Sequence, residues 1–382
     1  MQKHFDLIVV GSGIMGTFHA YHAARQNKSV LLLEKDNFPV GATVRNFGQV
    51  VPSGLSGRWF NYGQRSLELY QTLQSKVDLT VRNNGSVYVA SDDDEWQLAN
   101  ELYDYYQKIG YSCELLSRQK CLEIYPYLRP SYPVGALFFP QELSVDSPVL
   151  MQRLLGYCKE QIGITFLNNA TVVDCQSANG KATVRLANRQ EFEAEKVLIC
   201  NGHEFRMLYP ELFANSGLIV SKLQMMQTIP FPTLSMKGNI LTGLTIRRYE
   251  SFQQMPSYAS MVTPEHYSDL KKWGIHVLFK QAEDGSVVIG DSHEYADAQH
   301  VDDLGFHTTD YINGLIISEA ERIVTFEVDK IRTTWAGFYS QTTEEIYERQ
   351  IDDHIQIITG IGGKGMTSTG GYSEENIKKL FT

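Results

Sequence analysis

Hydrophobic positions in the first 34 residues predict a strand, a helix and a second strand. The apolar run 7–10 has the length of a buried strand, residues 14–26 have helical character, and 30–33 form another short apolar run. This order predicts a βαβ unit, in which two parallel strands are joined by a helix.

The turn between the first strand and the helix has G-x-G-x-x-G spacing at Gly11, Gly13 and Gly16. In a dinucleotide-binding unit the first glycine permits a sharp turn, the second lets the backbone approach a pyrophosphate, and the third lets the helix pack closely on the sheet. The helix N-terminus, at Ile14 and Met15, is then expected to bind the phosphates.

An acidic residue, Glu34, follows the second apolar run at the distance where a carboxylate accepts hydrogen bonds from the adenosine ribose. We expect Glu34 and the adjacent Lys35 to line the nucleotide site. A carboxylate there repels a 2′-phosphate, which disfavours NADP, but the motif by itself leaves NAD and FAD open.

The rest of the chain alternates between helical and strand patterns. Helices are predicted over residues 58–76, 92–110, 116–127, from about 147, 308–322 and 374–380. Strands are predicted over residues 84–90, 136–139, 164–167, 171–175, 182–186, 191–193, 196–200, 330–339 and 355–359. From residue 221 the segments KLQMMQTIP, GLTIRRYESF, IHVLFKQ and SVVIGDSHEY are rich in β-branched and aromatic residues and are predicted to form an antiparallel sheet.

These elements predict an α/β fold (α+β overall), with a Rossmann-like dinucleotide-binding domain interleaved with a substrate domain on a mixed or antiparallel sheet. The dinucleotide-binding domain, assigned below to FAD, comprises residues 1–80, 146–220 and 329–382. The substrate domain is assigned residues 81–145 and 221–328.

Composition narrows the class of protein. A net charge of −10 without a Lys/Arg-rich run argues against nucleic acid as a partner. The longest apolar runs are too short for a membrane span. The five cysteines show no C-x-x-C spacing, so we expect free buried thiols, no metal site and a cytoplasmic protein.

A second glycine-rich turn, residues 360–367, precedes the last predicted helix. A flavoprotein needs such a turn because the flavin is buried far from the adenine and is held by backbone amides at its own end. With the first motif, this turn favours FAD. The segment 41–48 supplies donors at Thr43, Arg45 and Asn46 and is predicted to pass under the pyrophosphate.

Matches along almost the whole chain now indicate a family. The segments LIVVGSGIMG, GATVRNFGQ, VLICNG, IHVLFKQAEDGSVVIGD, TWAGFY and GIGGKGMT resemble the D-amino-acid oxidase superfamily, on its glycine oxidase and sarcosine oxidase side. Within it, RNFGQ, KLQMM, GLTIRRYESF, GDSHEY and GGKGMT resemble a bacterial subgroup often found with phosphonate-catabolism genes.

The resemblance implies FAD between the two domains and oxidation of a C–N bond by hydride transfer to flavin N5. Because the region around Tyr339 lacks the cysteine that some sarcosine oxidases attach to the flavin, we expect the FAD to be noncovalent. The imine then hydrolyses, and O2 or another acceptor reoxidises the flavin. The predicted cofactor-binding residues are Gly11, Gly13, Ile14, Met15, Gly16, Glu34, Lys35, Thr43, Arg45, Asn46, Phe47, Gly48, Thr171, Val172, Asn201, Gly202, Trp335, Gly337, Gly362, Gly363, Lys364, Gly365, Met366 and Thr367.

The chain departs from this family at the substrate site. Tyr339 lies where glycine oxidase-like members place an arginine that clamps the substrate carboxylate, and Lys364 lies where relatives often carry histidine. His276 occupies a position where relatives place a substrate-facing aromatic residue. These three are the predicted catalytic residues.

An anionic substrate needs other cations, and the candidates are Arg45, Arg247, Arg248, Lys222 and Lys364. Arg247 and Arg248 are adjacent on a predicted strand and should face opposite sides, so at most one of them points into the site. The predicted substrate-binding residues are Arg45, Gln49, Gln224, Met226, Arg247, Arg248 and His293.

The resulting hypothesis is an FAD-dependent oxidoreductase for a small anionic amine or amino acid, with an aminophosphonate or its N-methyl form as a candidate. One alternative is a dehydrogenase for a D-amino acid or hydroxy acid that uses an acceptor other than oxygen. Another is a flavin-binding subunit without turnover. The oligomeric state is left open.

Overall fold

The computed structural model of the protein describes residues 3–382. The strands are β1 His4–Val10, β2 Val30–Leu33, β3 Gln49–Val50, β4 Ser86–Ala90, β5 Glu114–Ser117, β6 Gly135–Phe139, β7 Leu143–Ser144, β8 Thr165–Leu167, β9 Val172–Ala178, β10 Lys181–Leu186, β11 Glu191–Ile199, β12 Ile219–Thr228, β13 Asn239–Leu241, β14 Leu278–Gln281, β15 Val287–Gly290, β16 Glu294–Asp297, β17 Ile331–Gln341, β18 Tyr347–Gln350 and β19 Ile355–Thr359. The α-helices are α1 Ile14–Arg25, α2 Ala42–Arg45, α3 Gly57–Gln74, α4 Asp93–Ile109, α5 Arg118–Ile124, α6 Ser147–Tyr157, α7 Pro210–Ala214, α8 Gly243–Ile246, α9 Glu250–Gln253, α10 Ser268–Lys272, α11 Asp310–Ile323 and α12 Gly365–Leu380.

The first sheet has the order β18-β19-β11-β1-β2-β8, with β10 paired to β11 and β9 to β10. Strands β19, β11, β1 and β2 and the edge strand β8 run parallel. β2 is buried at every position, as expected for a parallel strand covered on both faces. Helix α12 packs against α1 and α3 on one side of this sheet.

The second sheet has the order β16-β12-β15-β14-β13-β4-β6-β5, with β17 also paired to β12. All of its pairings are antiparallel except β13 with β4. The two sheets confirm the predicted mixed α/β fold. The division into domains remains a prediction, and β17 pairs with the second sheet although it falls in the segment 329–382 assigned to FAD binding.

The segment 243–252, predicted to be a strand, instead forms α8 and α9. The reason is a buried ion pair: Arg247 bonds Glu95, and a Cβ on Gly243 would lie 2.1 Å from the Glu95 carboxylate. The chain therefore turns tightly around Glu95. A tertiary contact overrides the β propensity of the local sequence.

Three other predicted boundaries differ from the structure. The last helix begins at Gly365 rather than at 374, because its glycines allow close packing: a Cβ on Gly371 would lie 2.4 Å from the Tyr62 carbonyl oxygen of α3. The helix predicted over 116–127 is confined to α5, preceded by strand β5. The loop 41–48 contains the short helix α2.

Among residues 3–382, no helix has both the length and the apolar character needed to cross a membrane.

Candidate cofactor and substrate site

A cavity of about 880 Å³ lies between the two sheets. We call one part of it the glycine end, which is lined by Gly11, Gly13 and Glu34 at the carboxyl ends of β1 and β2. The other part, the histidine end, is lined by Arg248, Tyr249, His276, Asp291 and His293. Carboxyl ends of parallel strands are the usual ligand position in open α/β sheets.

Backbone geometry explains the glycines of the first motif. Gly11 has φ +97°, and a Cβ there would lie 2.4 Å from the Cys200 carbonyl oxygen. A Cβ on Gly16 would lie 1.9 Å from the Gly11 carbonyl oxygen, so Gly16 supports the turn without lining the cavity. Gly13, the N-cap of α1, has no side chain to accept the free N–H groups of that helix.

The Glu34 side chain is buried and held in place by hydrogen bonds. Its Oε2 accepts from the Ser12 N–H at 2.9 Å and the Ser12 hydroxyl at 2.8 Å, and its Oε1 accepts from the Asp36 N–H at 3.1 Å. Thr43 reaches the start of α1, where its hydroxyl accepts from the Ile14 N–H at 3.0 Å. The loop 41–48 is thereby fixed beside the glycine turn.

Two predicted cofactor-binding residues, Trp335 and Gly337, lie behind this loop rather than in the cavity. The Trp335 indole donates to the Arg45 carbonyl oxygen at 3.1 Å, and Arg45 Nη1 donates to the Ala336 carbonyl oxygen at 3.0 Å. A Cβ on Gly337 would lie 3.5 Å from Arg45 Cβ. Strand β17 therefore supports the loop from outside.

The second glycine turn also borders the cavity. Gly360 and Gly362 have φ +68° and +66°, conformations that favour glycine. A short 3₁₀ turn, Gly362–Lys364, leads directly into α12. No side chain caps the N-terminus of α12, which faces this part of the cavity through Gly365, Met366 and Thr367.

At the histidine end, His276 and Asp291 are held opposite each other by two backbone hydrogen bonds, of 3.1 and 2.9 Å. His276 Nε2 lies 2.8 Å from Asp291 Oδ1, but this contact lacks the angle of a hydrogen bond. The His293 ring stacks on that of His276 with centroids 5.5 Å apart. The three side chains present ligand atoms within 4.8 Å of one another, a grouping of metal-binding residue types that the sequence analysis did not predict.

Charge in this cluster is set by burial and by neighbouring groups. Burial lowers the pKa of His293 to about 3, so its ring is neutral at physiological pH. Burial by itself opposes ionisation of Asp291, but its neighbours, chiefly His276, hold its pKa below its usual value. A buried carboxylate thus faces the cavity in its charged form.

The two adjacent arginines have different surroundings. Arg247 bonds Glu95 and Asp92, each at 2.5 Å, and does not line the cavity. Arg248 lines the cavity, where its Nη2 donates to the Tyr295 hydroxyl at 3.1 Å. In the part of the chain that the structure describes, Arg248 makes no ion pair.

Lys364 and Tyr339 both line the cavity. Lys364 Nζ lies 3.4 Å from Glu250 Oε1 and 5.2 Å from the centre of the Trp59 ring. Burial raises the pKa of Tyr339, so its hydroxyl remains protonated. Tyr339 can donate a hydrogen bond but cannot neutralise an anion.

One protein-family model matches most of the chain. The family model described as "FAD dependent oxidoreductase" (DAO) matches residues 6–375. The chain belongs to this family.

By sequence, the chain is 23% identical over 376 residues to a glycerol 3-phosphate dehydrogenase of Caloramator mitchellensis, covering 95% of this chain and 71% of that protein. It is 23% identical to the Geobacillus kaustophilus glycine oxidase, over 53% of this chain and 55% of that protein. A match to the mouse mitochondrial pyruvate dehydrogenase phosphatase regulatory subunit is also 23% identical, over 52% of this chain and 23% of that protein. The matched regions thus span about a quarter of the mouse protein and about half of the glycine oxidase.

Solved structures share the fold over almost the whole chain. The crystal structure of L-proline dehydrogenase from P. horikoshii aligns with a TM-score of 0.81 at 17% identity, covering 100% of this chain and 94% of that one. Glycine oxidase from G. kaustophilus aligns with a TM-score of 0.78 at 16% identity, covering 99% and 95%. At these identities the likeness shows the fold.

FAD is the cofactor of this family, and the cavity fits it. Gln49 Nε2 and Asn201 Oδ1 are buried polar atoms without a hydrogen-bond partner among the described residues, and both residues line the cavity. Further groups for a dinucleotide are the fixed Glu34 carboxylate and the N-termini of α1 and α12, whose own N-cap residues make no side-chain cap hydrogen bond. Noncovalent attachment remains a prediction.

Most predicted site residues lie in one cavity. Those that line it are Gly11, Gly13, Ile14, Met15, Glu34, Lys35, Thr43, Arg45, Asn46, Phe47, Gly48, Gln49, Thr171, Val172, Asn201, Gly202, Arg248, His276, His293, Tyr339, Gly362, Gly363, Lys364, Gly365, Met366 and Thr367. Those that do not line it are Gly16, Gln224, Met226, Arg247, Trp335 and Gly337.

Gln224 and Met226 were predicted on the wrong face of β12. Their neighbours Leu223 and Met225 line the cavity, and side chains alternate along a strand. Gln224 instead bonds Asn313 of α11 at 2.9 Å, and Met226 lies in the hydrophobic core of the second sheet. Sequence analysis did not predict Tyr249 and Asp291 as site residues. Asp291 directly follows the buried strand β15, and a charged residue at such a position could have been predicted to line a site.

Proposed function

We propose that the protein oxidises the C–N bond of a small anionic amine or amino acid, with 2-aminoethylphosphonate or its N-methyl form as the candidate substrate. The observation that carries the proposal is Arg248, a cation without an ion-pair partner in the same cavity as the cofactor-binding residues. An uncompensated arginine in a cavity is a strong site for a carboxylate or phosphonate.

When bound, FAD would supply an acceptor for the hydride, that is, the hydrogen with both electrons of the substrate C–H bond. The ammonium group must first lose a proton to water, so that its lone pair can form the C=N bond that water then hydrolyses. The chain positions the substrate for this step, and positioning accounts for most of the rate in such reactions. Arg248 binds the anion, while Leu223, Met225 and Leu278 line the adjacent wall and limit water.

The cations that line the cavity support an anion that is bound by several donors, as a phosphonate is. Arg45 and Lys364 line the cavity together with Arg248, whereas Lys222 bonds the Leu304 carbonyl oxygen and lies 3.7 Å from Glu294. A phosphonate needs more than one donor, and the hydroxyl groups of Tyr249 and Tyr339 are available at the cavity wall. We therefore favour the phosphonate over a simple carboxylate.

A dehydrogenase that uses an acceptor other than oxygen remains the second candidate, and the named dehydrogenases among the sequence and structural relatives favour it. Oxygen consumption by the reduced enzyme separates it from an oxidase.

The test is anaerobic mixing of the holoenzyme with glycine, sarcosine, D-alanine, D-glutamate, 2-aminoethylphosphonate, its N-methyl form and glycerol 3-phosphate, while the flavin absorbance is recorded. We expect bleaching by one or both phosphonates. Bleaching by glycerol 3-phosphate alone, or by none of the amines, contradicts the proposal. Exposure to air afterwards shows whether oxygen is the acceptor.

A further inference from the structure

We infer that Asp291 is the binding group for the substrate's amino nitrogen, so that the histidine end recognises a zwitterion with its anion at Arg248 and its amine at Asp291. This inference rests on the proposed oxidation of an amine. It deepens that proposal by assigning the second half of the substrate to a residue.

The backbone fixes Asp291 at the cavity wall. Asp291 directly follows β15, and its N–H and C=O groups bond the backbone of His276 at 2.9 and 3.1 Å. The Asp291 side chain is 12% exposed, and the residue lines the cavity. The carboxylate is thus held rigidly while remaining accessible from the cavity.

Asp291 Oδ1 is buried 2.8 Å from His276 Nε2 without making a regular hydrogen bond to it. Among the described residues, neither Asp291 Oδ1 nor His276 Nδ1 has a hydrogen bond, although both atoms are buried. Buried polar atoms are almost always hydrogen-bonded, and leaving one without a partner is costly. Because the Asp291 side chain is 12% exposed and the residue lines the cavity, a ligand N–H can donate to the exposed part of the carboxylate.

The charges around the cluster select the ligand. The groups that face Asp291 are His276 before β14, His293 after β15, Arg248 after α8, and the hydroxyl-bearing Tyr249 and Tyr339. Arg248 bonds Tyr295 rather than Asp291, so one cation and one anion share the cavity without pairing. An amino acid or aminophosphonate carries the complementary pair of charges.

A metal ion is the competing occupant of this cluster. The His293 ring Nδ1 lies 2.9 Å from the Gly274 carbonyl oxygen, and a Cβ on Gly274 would lie 3.3 Å from Arg248 Nη1. A guanidinium so close to the cluster repels a second cation. An amine linked to an anion is favoured because its negative end occupies Arg248.

The test compares two probes on wild-type and Asp291→Asn holoenzyme: 2-aminoethylphosphonate, and ethylphosphonate, which lacks the amine. Binding is followed by anaerobic flavin reduction for the first and by the shift in flavin absorbance for the second. We expect Asp291→Asn to raise the half-saturating concentration of 2-aminoethylphosphonate about tenfold or more, the effect of losing a charged hydrogen bond. The Kd for ethylphosphonate should stay within about twofold, because its anion binds Arg248.

Asp297→Asn is the matched control, since Asp297 also pairs with a histidine, His300, but is exposed and outside the cavity. Flavin content and the thermal unfolding midpoint report the fold of each variant, and Asp291→Ser replaces Asp291→Asn if the latter loses FAD. Three outcomes overturn the inference. Asp291→Asn binds both probes more weakly to the same extent, or it binds 2-aminoethylphosphonate as tightly as wild type does. The third is that the purified wild-type protein retains a metal ion that Asp291→Asn lacks. If wild-type enzyme binds 2-aminoethylphosphonate more tightly than ethylphosphonate without being reduced, the proposed function fails while the assignment of Asp291 stands.

Discussion

The two ends of the cavity are formed by different kinds of chemical groups. The glycine end is formed mainly by backbone groups, in the Gly11 turn and at the N-terminus of α1, whose N-cap is Gly13. At the histidine end charged and ring-bearing side chains from separate strands and turns converge, among them Arg248, Asp291 and His293. The first end suits a cofactor common to many enzymes, whereas the second is where we propose that the substrate binds. Changes at each end should therefore have separable effects.

The largest effect is expected at the glycine end. Gly11→Val places a branched side chain where even a Cβ would lie 2.4 Å from the Cys200 carbonyl oxygen, at a φ of +97°. We expect the purified variant to retain less than about a tenth of the wild-type FAD, because the turn that approaches the pyrophosphate cannot form. Absorbance of the flavin relative to that of the protein measures this content.

Gly163→Ala is its control, since Gly163 has φ +82° but open space around it. If Gly163→Ala lost FAD to the same extent, backbone strain anywhere in the chain would account for the loss. The result would then contradict a specific role of the Gly11 turn in FAD binding.

The next effect separates the two adjacent arginines. Arg248→Met should lower kcat/KM for the amine substrate by about 100-fold, because removing one partner of a buried charged contact costs several kcal/mol. Arg247→Met should instead lower the free energy of unfolding by about 3–5 kcal/mol, because it leaves the buried Glu95 carboxylate unpaired. Steady-state kinetics of FAD-loaded protein and urea unfolding measure the two quantities.

Each arginine variant serves as the other's control. A similar loss of kcat/KM in both variants, at equal FAD content, would show that the substrate effect is transmitted through the fold rather than made by contact with Arg248.

A smaller effect is expected for the carboxylate at the glycine end. Glu34→Gln should raise the Kd for FAD about tenfold, because it removes the charge that accepts from the Ser12 N–H and hydroxyl and places an amide donor beside them. Fluorescence titration of apoprotein with FAD gives the Kd. Glu193→Gln, at a half-buried position of β11 outside the cavity, should leave the Kd unchanged. A Kd for Glu34→Gln equal to that of wild type would remove Glu34 from the cofactor site.

The smallest effect concerns Lys280, which is buried behind the cavity and donates to the Val145 carbonyl oxygen at 2.6 Å. Burial lowers its pKa from 10.5 to about 8. Between these two pH values the unfolded chain holds the proton and the folded chain does not, so this residue makes stability rise with pH across that window. The free energy of unfolding of Lys280→Met, measured against wild type from pH 7 to 10.5, should lack this rise; parallel curves would contradict it.

The contrast between the two ends also explains what sequence could predict. The βαβ unit and both glycine turns are local patterns, and their residues lie in the cavity as expected, apart from Gly16, Trp335 and Gly337. The substrate side depends on register and on distant partners. On β12 the prediction named Gln224 and Met226, one residue away from Leu223 and Met225, which line the cavity. Arg247 is held away from the cavity by Glu95, which is 152 residues distant in the sequence. No local pattern contains that information.

The most direct measurement is a crystal structure of the FAD-loaded protein with ethylphosphonate. The account predicts the phosphonate within hydrogen-bond distance of the Arg248 guanidinium, with its ethyl group directed toward the Asp291 side of the histidine end. A phosphonate bound at Lys364 or Arg45 instead, with Arg248 still bonded only to Tyr295, would contradict the assignment of the anion site and the zwitterion recognition that follows from it.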